Sequence, residues 1–125
     1  MSNLLLLPQL AGSFTTANNA DWRDALLFVD ASNNPIDLSG IAFHQQIKAA
    51  SDPSTILLDL STANGLLING GTNGTLSWLV PVAQMELVAA GAYIADLVAS
   101  DGIDTVNLFA GGPSTVTVNQ GVTLP

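Results

Sequence analysis

The stretch Leu87-Val88-Ala89-Ala90-Gly91-Ala92-Tyr93-Ile94-Ala95-Asp96-Leu97-Val98 decides how this chain is read. Up to Ala89 its composition continues a short helical turn. Gly91 ends that turn, because glycine closes a helix without the steric cost a Cβ would bring. From Ala92 the residues suit a strand, with Tyr93 near its start. A tyrosine so placed marks the corner where a sandwich chain crosses between sheets. Its ring is buried there and its hydroxyl bonds back to the upstream backbone. The expectation is a structural corner made by Gly91 and Tyr93, with the hydroxyl satisfied between Met85 and Ala89.

Working outward, turn signals recur about every ten residues, a spacing typical of all-β sandwiches and barrels. They are Asn18-Asn19, Asn33-Asn34-Pro35, Asp52-Pro53, Asn64-Gly65, Gly70-Gly71, Asn73-Gly74, Asp101-Gly102 and Gly111-Gly112-Pro113. Short apolar or alternating runs lie between them: 25–30, 41–48, 55–60, 66–68, 75–80, 92–99, 103–109 and 114–118. In 41–48, Ile41, Phe43, Gln45 and Ile47 share one face and His44, Gln46 and Lys48 the other. Asn64-Gly65 suggests a tight turn joining its two flanking strands. The one helical candidate runs from Pro81, which suits a first helical position, to Ala89. The pattern predicts an all-β protein: an immunoglobulin-like Greek-key β-sandwich of roughly seven to nine strands with one short helix. Residues 14–125 form the sandwich, and residues 1–13 are an apolar arm or a first strand.

A chain of 125 residues with 48% hydrophobic content suits one domain with one core. Only 10% of residues are charged, against about a quarter in ordinary domains. Nine aspartates and Glu86 face only Arg23 and Lys48, for a net charge of −8. Nucleic acid is therefore a poor partner, since neutralising phosphates takes several cations, and anionic membrane surfaces are disfavoured likewise. There is no cysteine, hence no disulfide and no thiol chemistry. Leu4 to Leu7 is no signal peptide: no basic residue precedes it and Pro8 ends it. No run approaches the ~20 apolar residues of a membrane span. The expectation is a soluble chain made in the cytoplasm.

No catalytic constellation emerges. A Ser-His-Asp triad would have to use His44, the sole histidine, which falls on a polar strand face. Asp101-Gly102-Ile103-Asp104 lacks the further oxygen ligands of a calcium loop and reads as a hairpin turn. Asp21 and Asp24 flank Trp22 and Arg23, and local pairing or capping explains them. No catalytic, cofactor or metal residue is assigned. Trp78 shares a face with Leu76 and Val80 and belongs to the core. Trp22 is a candidate glycan-stacking residue. Leu4, Leu5, Leu6 and Leu7 are candidate interface residues, because four consecutive leucines without flanking charge make an apolar patch unless they dock. They dock either in cis, as a first strand, or in trans on a neighbour.

Several segments follow one another in a specific order. They are Asp21-Trp22 to Asp30, the Asp37-Leu38-Ser39-Gly40 step, Phe43-His44-Gln45-Gln46-Ile47-Lys48, Leu60 to Gly65, the helix-Gly-x-Tyr segment ending at Leu97, and Gly111 to Val122. In this order the chain resembles small virion proteins of tailed bacteriophages and prophages, including the immunoglobulin-like N-terminal domain of baseplate upper proteins. The resemblance spans most of residues 14–122. It implies a non-enzymatic tail or baseplate part, made in the bacterial cytoplasm. Its partners would be other virion proteins or further copies of itself. The alternative is a carbohydrate-binding or adhesin-type sandwich using Trp22, and a weaker one is an orphan hydrolase.

Overall fold

The computed structural model describes residues 2–124; Met1 and Pro125, the outer ends of the expected arm and sandwich, lie outside the described residues. The protein is all-β with one short helix, and its strands form two sheets. The strands are β1 (Ser13–Ala17), β2 (Trp22–Leu27), β3 (Ala42–Ala49), β4 (Asp52–Ser61), β5 (Leu67–Asn69), β6 (Thr75–Val80), β7 (Gly91–Ala95), β8 (Val98–Ser100), β9 (Thr105–Asn107) and β10 (Ser114–Asn119). The helix α1 (Val82–Met85) follows β6, and 3-10 turns occur at Leu4–Leu6 and Gly71–Asn73.

The larger sheet runs β1-β10-β7-β3-β8-β9, with β4 on the other side of β3; the smaller is β2-β6-β5. All pairings are antiparallel except β1 with β10. β7 and β8 are two halves of the single strand expected over 92–99. Both pair with β3, in register Ile47↔Ala95 and His44↔Val98. The break falls at Asp96-Leu97, where Leu97 is buried and its carbonyl accepts from Leu108 N.

Other boundaries moved for physical reasons. β1 went unrecognised in the sequence because its Thr-rich alternation hides a single buried anchor, Phe14. The expected strand over 103–109 shrinks to β9, since Asp101 Oδ1 accepts from Ile103 N and Asp104 N and holds that segment as a turn. The helix expected over 81–89 stops at Met85. Bonds from Leu87 N to Gln84 O and Val88 N to Met85 O tighten the remainder, burying Met85 and Val88. Asn64-Gly65 does not close a hairpin. β4 and β5 belong to different sheets, and the Asn64 side chain serves β4 by accepting from Ser61 N and donating to the Asp59 carbonyl.

Strand alternation builds the core between the sheets. From the larger sheet come Phe43, Gln45, Ile47, Leu58, Leu60, Val116 and Val118, and from the smaller Trp22, Leu67, Leu76, Trp78 and Val80. Phe14 bridges them, its ring centroid 6.0 Å from that of Trp22 and 5.1 Å from that of Trp78. Trp78 Nε1 donates to Gln45 Oε1 at 2.9 Å, a buried hydrogen bond between the two sheets. Gln45 Nε2 is buried without a partner. Gly74, at φ +71°, is required because a Cβ there would lie 2.8 Å from the Phe28 carbonyl oxygen.

Candidate interaction surface

The N-terminal arm is the first feature the sequence singled out, and the fold splits it. Residues 4–6 form a 3-10 turn, with Leu6 N bonded to Asn3 O and Leu7 N to Leu4 O. Three residues per turn place positions i and i+3 on one side. Leu4, 1% exposed, therefore enters the core and Leu7 packs partly against it, while Leu5 and Leu6 stay 73% and 67% exposed. The arm is thus no first strand; that position belongs to β1. Instead it is laced along the β8–β9 end of the larger sheet. Ser2 Oγ donates to Asp101 Oδ2 at 2.6 Å, Asn3 Nδ2 to the Asp37 carbonyl and Gln9 Nε2 to the Asn107 carbonyl. Leu10 N bonds to the Leu108 carbonyl. Asp101 accepts from Asp104 N, Ser2 Oγ and Ile103 N, and these bonds, in that order, hold its carboxyl down at about 2.

Tyr93 Oη donates to the Ala89 carbonyl, four residues upstream, and its ring lies against Gly91. The ring is half-buried rather than fully buried as expected, and packs partly against the core.

Trp22 is corrected by the structure. It is 1% exposed, and its indole N–H donates to Asp24 Oδ2 at 2.8 Å, so it offers no ring face to a glycan. As the first residue of β2 it pairs with Val80 and points inward with Trp78. Asp21 Oδ1 accepts from Val82 N at the start of α1, a capping bond.

His44 lies on the outer face of β3 and pairs diagonally with Asp59 of β4, both side chains about half exposed. With Gln46, Lys48, Ile94, Asp96 and Pro113 it lines an open groove of about 390 Å³. No group of three or more His, Asp or Glu residues able to hold a metal occurs among the described residues. No helix among them is long and apolar enough to cross a membrane.

The sequence reading missed one surface, the outer face of the smaller sheet. Cross-strand register places Arg23 opposite Leu79, Ala25 opposite Ser77 and Leu27 opposite Thr75, with Ile68 on the far side of Ser77. These side chains alternate with the buried set and point away from the core. Leu27 is 61% and Ile68 45% exposed. The face carries one cation and no acid. Its signal was the alternation of Thr75–Val80, which the sequence reading used only for its buried half.

Compared with known proteins, the chain matches no family model and no curated protein.

Proposed function

We propose that this chain is a structural, non-enzymatic protein of a phage or prophage virion, a tail or baseplate component that works through protein–protein contacts. The observation that carries the proposal is the arm. Leu4 and a series of polar bonds fix it rigidly to the sandwich, yet Leu5 and Leu6 are held out in water. Two adjacent leucines presented on an anchored turn are a docking element, because burying each would gain about 1.5–3 kcal/mol. Pre-anchoring lowers the ordering entropy that binding must meet. The order of segments in which the chain resembles phage virion proteins motivates the same reading.

The fold within this proposal is an immunoglobulin-like Greek-key sandwich. Its support is the division of strands. β2, β6 and β5 stand as strands B, E and D, while β3, β4, β7 and β10 stand as C, C′, F and G, a variable-type distribution without C″. The bond from Tyr93 to the turn before β7 lies at the E–F corner. The test is to purify phage or phage-tail-like particles from the source culture after induction and digest them for mass spectrometry. Stoichiometric recovery of this chain, lost with a Leu5→Ser/Leu6→Ser variant that still folds, is the expected result. Its absence from such particles would overturn the assignment.

A further inference from the structure

We propose that copies of this chain associate head to tail, the Leu5-Leu6 turn of one seating on the outer face of the smaller sheet of the next. The inference rests on the assembly reading above and names the receiving surface.

The argument begins with charge. At net −8, with ten acids and two cations, copies repel one another, and close approach is least unfavourable where acids are missing. The outer face of β2-β6-β5 is such a place: Ala25, Leu27, Ile68 and Leu79 with Thr75, Ser77 and Arg23. The arm's own residues carry no charged side chain, the first in the chain being Asp21. The two patches also differ in a complementary way. The arm's anchor is acidic, with Asp101 bonded to Ser2, whereas the receiving face bears Arg23. Two arms meeting would bring Asp101 towards its own copy, and two faces meeting would do the same for Arg23. Arm on face sets opposite charges together.

Different patches in contact make a heterologous interface, which closes into a ring or grows into a filament. Size sets the strength. Strands of six, six and three residues at about 3.4 Å rise and about 4.8 Å spacing give a face of about 250 Å². A stable isolated pair buries about 800 Å² on each partner. Each contact should therefore be weak in dilute solution and become durable through repetition around a ring.

Sedimentation velocity of the full-length protein over a wide concentration range, with three variants, tests this. Leu5→Ser/Leu6→Ser disables the arm, Leu27→Ser/Ile68→Ser disables the face, and Arg23→Glu reverses the charge. All alter exposed positions, and thermal melts check that they fold. The expected result is concentration-dependent association of the native chain, weakened at least about tenfold in each variant. The arm variant mixed with the face variant should stop at a one-to-one dimer, since each retains one functional half. A native chain monomeric up to about 1 mM, the weak end of measurable affinity, would overturn the proposal. So would variants that associate as the native chain does, or a mixture that fails to pair. Recovery of the chain from particles despite monomeric behaviour would sink this inference alone. Head-to-tail oligomers of a chain missing from particles would sink the virion assignment alone.

Discussion

The outer faces of the two sheets are made by the same alternation and end up unlike. The larger sheet shows water His44, Gln46, Lys48, Asp59, Thr115 and Thr117, with the hydrogen-bonded His44–Asp59 pair, and Ile56 and Ile94 beside Lys48 interrupt this polar surface. The smaller shows Leu27, Ile68, Ala25 and Leu79 around a single arginine. Their inner faces are alike in character, large apolar groups around Trp22, Trp78 and Phe43 with Gln45 as the polar exception. Packing constrains only the inner residues of a strand. The outer residues are free to differ, so the difference between the two outer faces is not set by the core.

The largest effect should come from the residue that ties the arm to the shared interior. Leu4→Ala should cost about 2–5 kcal/mol, read as a shift in urea midpoint. Leu5→Ala and Leu6→Ala, one and two positions away, should stay within about 0.5 kcal/mol. Equal losses at all three would mean the arm has no outward side.

The bond joining the inner faces comes next. Trp78→Phe leaves Gln45 Oε1 as well as Nε2 without a partner, and should cost about 1–3 kcal/mol. Adding Gln45→Met should restore part of that loss, because the buried polar atoms then disappear; strict additivity in the double-mutant cycle would show the two sheets are not coupled there.

At the corner between the sheets, Tyr93→Phe removes the bond to Ala89 and should cost about 0.5–1.5 kcal/mol in a urea melt.

Acid should loosen the clasp of the arm. Asp37, Asp52 and Asp101 all have carboxyls held below their ordinary value of 3.8, chiefly by Ser39, by Ser54 and by the Asp104 N–H respectively. A depressed carboxyl contributes stability that is full above the unfolded value and is lost as pH falls through the folded one. For Asp101 the window runs from 3.8 down to about 2. Urea midpoints measured across it should fall, and Asp101→Asn should flatten the decline.

The smallest effect is expected on the polar face. His44→Ala breaks an exposed pair and should change stability by no more than about 0.5 kcal/mol. A larger loss would make the groove beside it more than a solvated surface.

The sequence by itself determined the all-β class, the inward sides of β3 and β6, and the short helix before Tyr93. Period-two alternation and turn residues are local signals, and they act within a few residues of where they are written. It also marked the four leucines as needing cover. Tertiary structure decided what distance along the chain conceals. Trp22 became core because β2 pairs with β6, more than fifty residues away, and Val80 dictates which way it points. His44 found Asp59 only through the register of β3 on β4. The leucine run divided because the core admitted Leu4, and a 3-10 turn then had to send Leu5 and Leu6 outward. The acid-free face required three strands from three parts of the chain. No window of sequence contains it, since a surface is a property of register and sheet order, and both are set by long-range pairing.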